Sequence, residues 1–112
     1  MTGRDGSTVP GPVDDLIVAD NPQRSRYEAT VGAVTAAFSD YRLVRGRIVF
    51  IHTEVAPEFE GRGIGSRLAR GLLDDTRTRG LRVTPLCEFI AGYIERHPDY
   101  ADLVSWGPSR RT

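Results

Sequence analysis

The sequence predicts a small α/β (α+β) domain. Its mixed sheet has an antiparallel N-terminal meander, followed by a crossover helix, one more strand and a C-terminal helix. Three observations predict it. The first half of the 112-residue chain carries short apolar runs and apolar–polar alternation, the period of strands. From Ile64 onward the apolar residues recur at helical spacing instead. Turn residues (Asp20-Asn21-Pro22, Gly32, Arg45-Gly46, Gly80, Pro85, Pro98) fall between the segments and separate them cleanly.

Each element follows in order. Residues 1–14 are rich in Gly, Pro, Ser, Thr and charge, too polar to offset their ordering entropy, and are expected to form a disordered leader. The folded domain is expected over 15–106, with a flexible tail over 107–112. Leu16-Ile17-Val18 is a short strand. Tyr27, Ala29 and Val31 alternate with Glu28 and Thr30 in a second, and Val34 to Leu43 makes a third. Beyond the Arg45-Gly46 hairpin, Arg47 to Val55 is the strongest strand signal in the chain. Ile64, Leu68 and Leu72, with Ala69 and Leu73 beside them, then line one face of a helix. Arg67, Arg70, Asp74, Asp75 and Arg77 take its other face, and it ends near Gly80. Leu81 to Thr84 is a short strand stopped by Pro85. Glu88 to His97 sets Phe89, Ile90, Tyr93 and Ile94 on one face of a second helix, halted by Pro98.

Composition excludes several functions. All fifteen cations among Lys and Arg are Arg, and they are balanced by fifteen acids, so net charge is zero. That balance argues against a nucleic-acid partner, which requires a net basic surface. No apolar run is long enough for a membrane span. One cysteine, Cys87, excludes an internal disulfide, and with only two histidines no zinc pattern can be built, so no metal is expected. A reducing, cytoplasmic setting is the expectation.

The most informative segment is the loop joining the last strand of the meander to the first helix, Val55-Ala56-Pro57-Glu58-Phe59-Glu60-Gly61-Arg62-Gly63-Ile64-Gly65-Ser66. Unpaired N–H groups and the dipole at a helix start favour an anion, and alternating glycines let backbone approach it. A phosphate-binding Walker loop needs a Lys that the chain lacks. A dinucleotide fingerprint needs a glycine where Ser66 stands, and an acid near Leu81 to Thr84 that is missing. The remaining readings are a different phosphate ligand or a purely structural turn.

Glu60-Gly61-Arg62-Gly63-Ile64-Gly65, between a strand and an amphipathic helix, resembles motif A of the GNAT (GCN5-related) N-acetyltransferases, Gln/Arg-x-x-Gly-x-Gly/Ala. Glu60 departs from the usual Gln or Arg. The longer stretch His52-Thr53-Glu54-Val55-x-Pro57-x-Phe59-Glu60-Gly61-Arg62-Gly63-Ile64 is similar to the minimal single-domain branch, of the N-acetyltransferase domain-containing protein 1 type, where a Glu at that place is ordinary. Pro85-Leu86-Cys87-x-Phe89-Ile90-x-x-Tyr93-Ile94-x-Arg96-His97-Pro98-x-Tyr100 is similar to that branch's cysteine-bearing segment. The likeness runs from about Val18 to Leu103.

The resemblance implies acetyl-CoA as cosubstrate and transfer of acetyl to a primary amine. The backbone from Gly61 to Ser66 would hold the pyrophosphate, with Arg62 and the Ser66 hydroxyl as helpers. The Thr53 to Val55 backbone would pair with the pantetheine arm where the sheet splays. His52, expected on the face of Phe50 and Glu54 because side chains alternate, would be the general base, with Glu54 the alternative. Cys87, near a helix start, would take acetyl from coenzyme A and pass it on. Tyr93 would be the acid toward the leaving thiolate. Against these stand plain structural roles: packing for His52, Cys87 and Tyr93, and a solvated strand end for Glu54. The connection between the first two strands is only about Asn21 to Arg24, where ordinary family members insert helices. The acceptor face is therefore expected to be open and the acceptor to be a protein or peptide amine. A catalytically weak acetyl-CoA or CoA sensor or interaction module is the alternative function, and monomer and weak dimer both remain open.

Overall fold

The computed structural model describes residues 15–107, and the expectations for 1–14 and 108–112 lie outside them. The chain runs β1 (Leu16–Asn21), β2 (Arg26–Val31), β3 (Val34–Val44), β4 (Arg47–Val55), a short 3-10 helix (Pro57–Phe59), α1 (Ile64–Thr78), β5 (Arg82–Pro85), α2 (Glu88–Arg96) and a second 3-10 helix (Pro98–Leu103). The strands form one sheet in sequence order, antiparallel from β1 to β4. β5 joins β4 in parallel, as a strand reached through a crossover helix must. Every element expected from the sequence is present, and the two 3-10 helices are additions to it.

One face of the sheet carries the core. Tyr27, Ala29, Val31, Ala37, Tyr41, Ile48 and Phe50 pack beneath Ile64, Leu68, Leu72 and Leu73 of α1 in a single buried cluster, which also takes in Ile90, Tyr93 and Leu103. A polar clasp closes the far end of α1. The Tyr27 hydroxyl donates to Asp75, Arg79 donates to both Tyr27 and Asp20, and the Tyr41 hydroxyl donates to Asp20 at 2.7 Å. These bonds satisfy polar groups on three strands and tie the helix end to them.

Two details of β4 position the candidate site. First, β5 pairs only with Arg47 to Phe50, and the Cys87 N–H donates to the Phe50 carbonyl at 3.0 Å just beyond. Past that point β4 and the β5–α2 junction diverge, leaving the β5-facing edge of β4 open. Second, the β3–β4 register steps from Asp40 opposite His52 to Tyr41 opposite Phe50. Ile51 is the extra residue of a β-bulge. The expectation that His52 shares a face with Phe50 is therefore corrected. Phe50 is fully buried, whereas the His52 side chain is 52% exposed. An uninterrupted alternation would have joined them, and the bulge reverses it between the two positions. Glu54 stays on the face of His52, as expected.

Candidate active site

The glycine loop opens α1. Gly61 and Gly63 both adopt left-handed backbone, at φ 79° and 76°, a conformation that costs other residues steric strain. Gly63 is the N-cap of α1, with no side chain bonded to the helix N–H groups and no acid in the first turn. The first amides of α1 therefore remain free of side-chain caps, and the helix dipole adds to them. Gly65 answers a different demand: a Cβ there would stand 2.7 Å from the Phe89 ring of α2. The loop borders a cavity of about 410 Å³ lined by Val55, Phe59, Glu60, Gly61, Gly63, Ile64, Gly65, Ser66 and Phe89. Seven of these nine were anticipated as cofactor-binding residues; Phe59 and Phe89 were not. Arg62 is exposed and lies over the Phe59 ring at 5.6 Å. Free amides at a helix start, glycines without Cβ atoms and an apolar wall together suit a phosphorylated ligand with an extended arm.

Val55, at the end of β4, lies in the wall of this cavity. Thr53 and Val55 lie on the stretch of β4 that has no β5 partner, so their backbone edge is available to an extended ligand. Cys87 is the N-cap of α2 and is 7% exposed. Its sulfur donates to Thr53 Oγ1 at 3.1 Å, spanning the start of the divergence from the α2 side to β4. Thr53 Oγ1 in turn lies 2.9 Å from Oγ of Ser39 on β3, a residue with no exposed surface. The register explains the convergence. Ser39 stands opposite both Tyr27 and Thr53, so all three point to the core face with Cys87.

His52 and Glu54 point the other way. His52 Nε2 and Glu54 Oε2 are 2.9 Å apart, and both side chains are more than half exposed. The Phe38 ring edges His52 at 6.3 Å, and Arg26 lies over that same ring at 4.4 Å while bonding Glu28 at 2.7 Å. This hydrogen bond from Arg26 holds the Glu28 carboxyl below its usual range. A polar contact as exposed as His52–Glu54 contributes little to stability. Its effect is to hold the imidazole beside a proton acceptor on an open face.

The four residues anticipated as catalytic thus divide. Cys87 sits with Thr53 at the strand divergence, and His52 and Glu54 form a pair on the opposite face. Tyr93 is 4% exposed, stacked on His97 with ring centroids 3.9 Å apart and tilted against Tyr100. Ser39 was missed, since a serine in a strand reads as outward-facing unless the register is known. Among the described residues no cluster of three metal-ligating side chains occurs, and no helix is long and apolar enough to cross a membrane.

Comparisons with known proteins bear on the fold and the family. The family model described as GCN5-related N-acetyl-transferase matches residues 26–103. Protein NATD1 of Gallus gallus is 35% identical over 79 residues, which span 67% of this chain and 72% of that protein. The NMR solution structure of a GCN5-like protein from Staphylococcus aureus matches with a TM-score of 0.62 at 22% identity. It covers 87% of this chain and 94% of that one, a likeness of fold. With a family model over more than half its length and a relative above 30% identity, the chain belongs to the GCN5-related N-acetyltransferase (GNAT) family.

Proposed function

We propose that the domain is an acetyl-CoA-dependent N-acetyltransferase that moves acetyl to a primary amine of a protein or peptide, through an acetyl-Cys87 intermediate. The observation that carries this reading is the cavity at the glycine loop, bordered by Val55 of the β4 stretch that β5 leaves unpaired, with the Cys87 sulfur bonded to Thr53 on that same stretch. The amides of Gly61 to Ser66 bind the pyrophosphate, with Arg62 and the Ser66 hydroxyl beside them. The Thr53 and Val55 backbone aligns the pantetheine arm as an added strand. Catalysis is then mostly positioning, with sulfur and thioester carbonyl held at attack distance. On the open face, His52 with Glu54 accepts the proton of the incoming amine. Tyr93, buried and stacked on His97, packs around α2.

The acceptor assignment rests on the Asn21–Arg24 turn. Ser25 directs the chain from β1 straight into β2 at φ 53°, and no helix rises between those strands to enclose a small amine. Titration calorimetry with acetyl-CoA, beside NAD and ATP, tests the ligand, and saturable binding of acetyl-CoA alone is expected. Intact mass after mixing should then show one acetyl on the wild type and none on Cys87→Ala, with turnover of peptide amines lost in the variant. Unchanged turnover by Cys87→Ala would reject the covalent route in favour of direct transfer. Binding without turnover would make the domain a sensor of acetyl-CoA.

A further inference from the structure

We propose that the Ser39 and Thr53 hydroxyls form a relay that positions the Cys87 sulfur and, by reversing its hydrogen bonds, supports that sulfur as a thiolate. The inference rests on the reading of Cys87 as acyl carrier and adds two positioning residues to it.

Three elements supply the chain of atoms: Ser39 from β3, Thr53 from β4 and Cys87 from the β5–α2 junction, linked at 2.9 and 3.1 Å. Ser39 has no exposed surface and stands in a strand where Ala36 and Ala37 are also buried, so packing alone would accept alanine. A buried hydroxyl is costly unless bonded, and Thr53 is its partner. Each hydroxyl is one rotatable donor and a double acceptor. With Cys87 protonated, its S–H donates to Thr53 Oγ1. When that proton leaves to solvent, the Thr53 hydroxyl turns to donate to sulfur, and Ser39 donates to Thr53. Both rotations leave the heavy atoms in place. In acyl transfer the Cys87 thiolate then attacks the thioester carbonyl. A sulfur–carbon bond forms at Cys87, the one to coenzyme A breaks, and coenzyme A departs with the electron pair and takes a proton from solvent.

Charged groups on the packed elements do not substitute for this support. His52 and Glu54 of β4 and Asp40 of β3 project from the opposite face of the sheet. Glu88, next in sequence, is exposed in the first turn of α2 and opposes a second negative charge. The N-terminus of α2, whose N-cap is Cys87 itself, favours one.

The test is alkylation of Cys87 by iodoacetamide across pH, followed by intact mass without acetyl-CoA; Cys87 is the only cysteine, so the signal belongs to one group. Thr53→Val, nearly isosteric, is expected to slow alkylation at neutral pH about tenfold, the loss of one hydrogen bond to a charged group, while reaching the wild-type plateau at high pH. Thr53→Ser should restore the neutral rate, and Ser39→Ala should slow it by a smaller factor. A wild-type rate for Thr53→Val at neutral pH overturns the relay, as does an equal slowing at every pH, which would report access to sulfur instead. Where Thr53→Val does not fold, Ser39→Ala carries the same criteria. Since acetyl-CoA is absent, this outcome is independent of whether Cys87 is ever acetylated.

Discussion

Gly71 gives a direct test of how α1 is seated on the sheet. Glycine in a helix interior costs about 1 kcal/mol relative to alanine, so propensity alone predicts that Gly71→Ala stabilises. The structure predicts the reverse. A Cβ at position 71 would lie 2.7 Å from Val18 Cγ1, 2.8 Å from Val18 Cβ and 3.2 Å from Val18 Cγ2. Comfortable carbon contacts lie at about 3.5–4.0 Å. All three atoms belong to one β-branched side chain, which has no easy rotamer escape, so β1 itself must move. Overpacking of this kind costs roughly 1–3 kcal/mol, against a helix gain of about 1 kcal/mol. A net loss of about 1 kcal/mol is expected, which lowers the melting temperature by about 4–8 °C for a domain of this size. Thermal unfolding followed by circular dichroism measures it. In a Val18→Gly background all three obstructing atoms are gone, and the same Gly71→Ala change should stabilise by about 1 kcal/mol. A rise in melting temperature for Gly71→Ala in the wild-type background would refute the argument, as would equal effects in the two backgrounds.

Gly63→Ala should cost about 1–2 kcal/mol in unfolding free energy, because the N-cap sits at φ 76°, and should weaken acetyl-CoA in calorimetry by moving the first amides of α1. Burial, reinforced by the bond to Asp20, pushes the Tyr41 hydroxyl up to about 12, and burial with Asp75 raises Tyr27 further. Unfolded tyrosine ionises near 10, so the unfolded chain loses these protons first. Stability from both should be complete below about pH 10 and decline as pH rises through about 12. Tyr41→Phe should flatten that alkaline decline in pH-dependent urea titrations.

The fold was legible because its signals are local and redundant. Tyr27, Ala29 and Val31 alternate cleanly, Ile64, Leu68 and Leu72 repeat at one spacing, and Gly80, Pro85 and Pro98 stop elements where expected. The glycine loop was legible for the same reason, since Gly61 and Gly63 sit where only the backbone geometry demands them. The bulge was not legible. Ile51 is a β-branched residue in the middle of an apolar strand, with no glycine or proline to mark an irregularity. Ser39 and Phe89 became visible only through register and helix contact, which join residues far apart in sequence. Phe38 shows the limit most plainly: hydrophobicity would turn it inward, yet its neighbour Ser39 takes the buried position.

The bulge at Ile51 decides what the site can be. Without that extra residue, alternation would turn His52 inward with Phe50 and leave Thr53 on the open face. With it, Thr53 faces Ser39 and Cys87, while His52 and Glu54 are paired on the other side. The irregularity falls immediately past Phe50, the last β4 residue that β5 pairs, so the reversal and the open edge begin together. Apolar burial is not what holds it, since Ile51 is left 42% exposed. What holds it is the set of contacts on either side: Phe50 against Tyr27 and Tyr41 before the bulge, and Thr53 bonded to Ser39 and Cys87 after it. A thiol on one face and an imidazole–carboxylate pair on the other, at the same point of one strand, suit a reaction in which acyl group and amine arrive from different sides. The extra residue in β4 is thus the smallest feature of the chain that puts the thiol and the imidazole–carboxylate pair on opposite faces.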